Sequence, residues 1–290
     1  MTDPYAANKR FIAPARGGAR PGQFVVTALL VFFGWTFLRE LVFLPIDRSD
    51  GVGATRWSFF LELAAFAVLV VVLDRVIWRA YGRRWTSLLG DPARLLPDFA
   101  RVLVGCLALY LFFLLLGFDG SGASQRPLGA WVAFLPVALL GIALQTGAEE
   151  VFFRGFLHQY AAALFKHPLL WMGGPALAFG LVHAANDPTS AASVFAYVAW
   201  TTAFAVACID LTARTGSIGA AWGLHLAVNV TALTVATTEG APMSAAALFV
   251  YPARPDAMAG PDPAFVLFGL VFELAFLTVL WLMARNMIAR

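Results

Sequence analysis

The chain has 290 residues, of which 60% are hydrophobic and 13% charged, about half the charged share of an ordinary globular domain. A soluble fold of this length has too little interior for so much apolar surface, whereas a bilayer accepts it. The net charge of +3 supplies no broad basic field, so nucleic acid is excluded as an expected partner and the lipid bilayer takes its place.

Residues 1–22 carry Lys9, Arg10, Arg16 and Arg20 among Pro, Gly and Ala, and read as a disordered basic cytoplasmic tail. Residues 23–290 read as a single transmembrane helical domain. Apolar stretches near spanning length recur at 24–45, 57–78, 99–118, 131–164, 169–185, 191–211, 217–238 and 263–284. The expected fold class is therefore all-α, a polytopic bundle of about eight transmembrane helices. The first stretch is too long for a signal-peptide core and reads as a retained helix.

Charges in the connections alternate. Arg79, Arg83, Arg84 and Arg94 fill the second, Lys166 the fourth and Arg214 the sixth, and Arg285 and Arg290 follow the last helix. The other connections are balanced or acidic: Asp47, Arg48 and Asp50, then Asp119 and Arg126, then Asp187, then Glu239, Arg254, Asp256 and Asp262. The positive-inside rule places both termini in the cytoplasm. With a composition rich in Ala and Arg, the expectation is a multi-pass protein of a bacterial plasma (inner) membrane. Cys106 and Cys208 sit in apolar runs and read as packing residues, and tryptophans such as Trp57, Trp78, Trp131 and Trp171 as interfacial anchors.

A few polar groups do not belong in such helices. Glu149 and Glu150 lie in GIALQTGAEEVFFRGFLHQY, with Arg154 one turn on. Each ionised side chain at a helix centre costs about 2.5–3.5 kcal/mol on insertion scales, so the pair needs compensation. Adjacent helical residues point about 100° apart and cannot share one target. Arg154 follows Glu150 by four residues, the favourable order for a helical ion pair, which leaves Glu149 free to act as a base. The next helix carries Phe179 and His183 in FGLVHAAND, and a hairpin turn near Lys166 sets His183 at a height similar to Glu149. His225 and Asn229, in SIGAAWGLHLAVNV, share one helical face. Levelling them with Glu149 requires a tilt or break in the fourth helix, for which Gly147 is a candidate. His158 and His167 read as interfacial, and Asp187 as a loop residue able to orient His183.

In this order, Glu149-Glu150-x-x-x-Arg154, Phe179-x-x-x-His183 and His225-x-x-x-Asn229 resemble the CPBP family, which comprises CAAX prenyl endopeptidases and bacteriocin-processing or immunity proteins and is also called Abi. The resemblance covers about residues 130–232. It implies an intramembrane endopeptidase acting on a membrane-associated protein or peptide precursor. Glu149 and His183 would activate water, His225 and Asn229 would hold the oxyanion, and Glu150, Arg154 and Phe179 would support them. No cofactor is expected. Zinc is the alternative, with Glu149, His183 and His225 as its ligands, although no HExxH is present and those residues would then be lost as base and donors. A proton-coupled transporter or channel is the rival function, since buried carboxylates and histidines suit a proton relay; Arg39, Glu40 and Glu273 fit that rival or form interhelical pairs. A non-catalytic immunity or scaffold protein is the other. Substrate prenylation and oligomeric state are not legible.

Overall fold

The structure is a computed structural model describing residues 3–43, 51–186, 189–253 and 262–288. Asp47, Arg48, Asp50, Asp187, Arg254, Asp256 and Arg290 lie outside the described residues.

Among the described residues each expected apolar stretch is largely helical. In chain order the spans are α2 (Pro21–Phe43), the pair α3 (Arg56–Ala64) and α4 (Phe66–Tyr81), α5 (Pro92–Gly117), α6 (Leu128–Glu150) running on to α7 (Gln159–Leu164), α8 (Gly174–Val182), α9 (Ala191–Thr215), α10 (Gly219–Thr234) and α11 (Pro263–Ile288). Five of these, α2, α5, the run Leu128–Leu164, α9 and α11, are long and apolar enough to cross a membrane unaided. The polytopic all-α reading holds, with shorter helices packed among the long ones.

Three features depart from expectation. First, the basic tail is not formless: Ala6–Arg16 is helix α1. Its buried residues Asn8, Phe11, Ile12 and Ala15 recur at helical spacing, so one face packs on the bundle while Lys9, Arg10 and Arg16 stay exposed. Secondly, the expected helix 57–78 is two helices meeting at Ala65, whose backbone keeps helical angles of φ −61° and ψ −18°. Thirdly, the expected helix 217–238 stops at Thr234, and the chain continues as strand β2 (Ala236–Thr238). β2 pairs in parallel with β3 (Phe249–Tyr251), which pairs antiparallel with β1 (Ser124–Gln125). Arg126, next to β1, ties this small sheet together by donating to the carbonyls of Ser244, Ala245 and Ala247.

Outside the candidate site, Arg39 pairs with Glu40 and crosses to Glu62, joining α2 to α3. The first pair lies within α2, and the second is an interhelical tie. Glu273 is exposed on α11.

Candidate active site

The glutamate pair ends α6. Beyond Glu150 the chain does not stay α-helical, because Val151–His158 forms a π-helical segment before α7 resumes. A π turn bonds i to i+5 and carries a surplus residue, so it rotates the side chains on its two flanks relative to each other. The fourth helix is thus broken just after the glutamates. The break is not at Gly147, whose missing Cβ instead makes room for the Trp222 ring, about 3.2 Å from where a Cβ would stand. A second π segment, Leu169–Gly173, precedes α8, where Pro175 has no N–H to close an α turn back to Trp171.

His225 is the hub. Its Nδ1 lies 2.7 Å from Glu150 Oε1 and its Nε2 lies 3.6 Å from Glu149 Oε2. The first is a hydrogen bond; the second is a gap just beyond one. Glu150 Oε1 also lies 3.0 Å from Arg154 Nη1. None of the Arg154 nitrogens meets directed hydrogen-bond geometry, so this pair is held by charge and not by a directed hydrogen bond. The guanidinium rests instead on aromatic faces, 4.5 Å from the Phe179 centroid and 5.8 Å from that of Phe204. Glu149, Glu150, Arg154 and His225 are all buried, at 5%, 0%, 0% and 3% exposure, so their charges act with little solvent screening.

Phe179 and Phe204 also hold the His225 ring edge-on, at 5.9 Å and 5.1 Å. The expected wall at Phe179 is thus present, although it packs on the polar cluster itself. His183 packs against Phe179, with ring centroids 4.4 Å apart, and is half-buried where α8 ends. Its Nδ1 is 2.7 Å from the Phe179 carbonyl. A carbonyl only accepts, so Nδ1 carries the proton and a neutral ring presents its lone pair at Nε2. His183 and His225 thus share Phe179 as a ring contact, and no hydrogen bond joins His183 to Glu149 among the described residues. Asn229 donates from Nδ2 to Gln145 Oε1 at 2.9 Å. An amide has two N–H donors, and one remains for a ligand.

Three contributors were not anticipated. Gln145 precedes Glu149 by four residues and shares its helical face, a signal present in the sequence. Trp222, which donates to Thr146 Oγ1 at 3.2 Å, and Phe204 had no feature to set them apart from other aromatics. His158 and Trp171 pack inside the bundle and not on its outer surface. His158 is fully buried and stacks on Trp171 at 5.5 Å. Among the described residues no group of three or more His, Cys, Asp or Glu side chains converges as a metal site.

Residues 126–231 match the family model described as type II CAAX prenyl endopeptidase Rce1-like. The core of this chain is similar to that family. The matched, Rce1-like stretch begins beside β1 and ends just past Asn229, so it contains every residue of the cluster. A Bacillus subtilis protein described only as uncharacterized protein YyaK is 33% identical over 143 residues, 46% of this chain and 46% of that protein. The similarity thus spans about half of each chain. No solved structure matches the chain.

Proposed function

We propose that this protein is an intramembrane endopeptidase that hydrolyses a peptide bond of a membrane-associated protein or peptide precursor, using glutamate-activated water. The observation that carries the proposal is the buried alignment Glu149–His225–Glu150–Arg154 inside an Rce1-like segment.

Glu149 Oε2 has no hydrogen-bond partner, and it faces His225 Nε2 across a gap that a water can bridge off the line between them. In the proposed reaction Glu149 takes a proton from that water, and the oxygen attacks the scissile carbonyl carbon. The carbonyl oxygen becomes an oxyanion, met by Nε2–H of a protonated His225 and by the remaining Nδ2–H of Asn229. The intermediate collapses, the C–N bond breaks, and Glu149 returns the proton to the leaving amine. Glu150 fixes the His225 ring through Nδ1, and Arg154 offsets the Glu150 charge. His183 lends its Nε2 lone pair from the rim as a further acceptor for the water. The positive-inside pattern supports an orientation with both termini cytoplasmic, in what we take to be a plasma (inner) membrane.

The test compares new protein N-termini in membranes of cells making the parent or Glu149→Ala. Termini that appear only with the parent, at or beside membrane segments, are expected. Identical profiles, with both proteins inserted equally, would sink the proposal and favour proton or solute transport. The metal-free route has its own test: cleavage should survive prolonged chelation. Loss on chelation with recovery in zinc would reinstate Glu149, His183 and His225 as ligands.

A further inference from the structure

The π segment joins two fixed points. Above it, Glu150 is held by His225 on α10. Below it, the first residue after the segment is Gln159, fully buried in an apolar interior and satisfied at both ends. Its Nε2 donates to the carbonyl of Phe11 in α1 at 2.7 Å, and its Oε1 accepts from Arg83 Nη2, also at 2.7 Å. Arg83 is itself fixed by the Ser87 carbonyl and by Tyr160, through the hydroxyl and the ring face. α1 is held independently by the Tyr5 hydroxyl just before it, which donates to Asp210, and Phe11 also packs against His158 at the end of the segment.

From this geometry we infer that Gln159 is a positioning residue, through which α1 and Arg83 hold the π register that aims Glu149 and Glu150 at His225. The inference rests on the hydrolytic reading of the site. A π segment is a metastable insertion, and relaxing it to α-helix turns one flank by about 100° relative to the other. No such turn can occur while both flanks are hydrogen-bonded to separate elements. Gln159 is suited to the task because one amide supplies both a donor and an acceptor. A Leu at 159 would fill the space without specifying the rotation. α1 lies outside the segment matched by the family model, so this support is supplied by the chain's own N-terminal region.

The test uses the full-length protein and Gln159→Met, which keeps side-chain length and packing while removing both hydrogen bonds. Gln159→Glu is the second variant; it keeps an acceptor for Arg83 and sets an oxygen against the Phe11 carbonyl. Hydrogen exchange in peptides covering 151–158 should quicken about tenfold or more in both, with α11 unchanged as the internal control. In the same preparations kcat should fall about tenfold with KM held, because the defect lies in aiming the base and not in binding. Unchanged exchange at 151–158 would overturn the inference, and so would faster exchange with parental kcat. If the parent itself proves to cleave nothing, the protease reading fails on its own, and the exchange measurement still decides whether Gln159 holds the register.

Discussion

Arg154 illustrates how much one side chain settles. Its guanidinium is fully buried, stacked on Phe179 and Phe204, and neutralised by Glu150. A lysine would keep the charge but not the flat face, so Arg154→Lys is expected to cost about 2 kcal/mol, read as a fall in thermal unfolding temperature in detergent. Glu150→Ala is expected to cost more, about 3–5 kcal/mol, because it leaves Arg154 buried without its counter-charge. Glu149→Gln should behave in the opposite sense. Glu149 has no hydrogen-bond partner at Oε2, so stability should be kept while cleavage falls by about 10²–10⁴. A Glu149→Gln protein with full activity would remove the general base from the scheme. These residues were legible because an intramembrane charge is costly wherever it occurs, and i,i+4 spacing then names its partner. The partner of Asn229 was not, since nothing local to Asn229 points to a glutamine on another helix.

Between helices, the site depends on how closely α10 approaches α5. A Cβ at Gly219 would run into the backbone of Leu95, and one at Gly223 would meet the carbonyl of Phe99. Small residues four apart allow this approach, which sets the depth of His225 two residues further on. Gly223→Ala should therefore lower stability by about 1–3 kcal/mol and reduce cleavage together, measured by thermal unfolding and turnover on one preparation. Retained activity with lost stability would show that the helices can part without moving the imidazole. At this scale the sequence was only partly readable. Helix extents follow from hydropathy, but the π segment does not, because its eight residues are all buried and its register is set by packing against neighbours such as Leu88 at Gly155. Helix α1 left a trace that composition hid: Asn8, Phe11, Ile12 and Ala15 form one face among basic residues.

For the molecule as a whole, hydropathy and charge carry the architecture, while the small sheet lies beyond them, since strands of two or three residues have no periodicity to detect. The orientation proposed from loop charge makes a direct prediction. Tags at both ends should be digested by protease added to inside-out vesicles and protected in right-side-out ones. Opposite fates for the two tags would require an odd number of crossings. The helix bearing His225 and Asn229 is also secured at both ends. Ile218 donates to the Leu89 carbonyl and Ser217 bridges to Gly90 at one end, and β2 is paired into the sheet at the other. In mechanical terms α10 is a beam clamped at both supports, stiff against tilting. The oxyanion donors would thus form a fixed datum, and the work of admitting a polypeptide would fall to the helices around them.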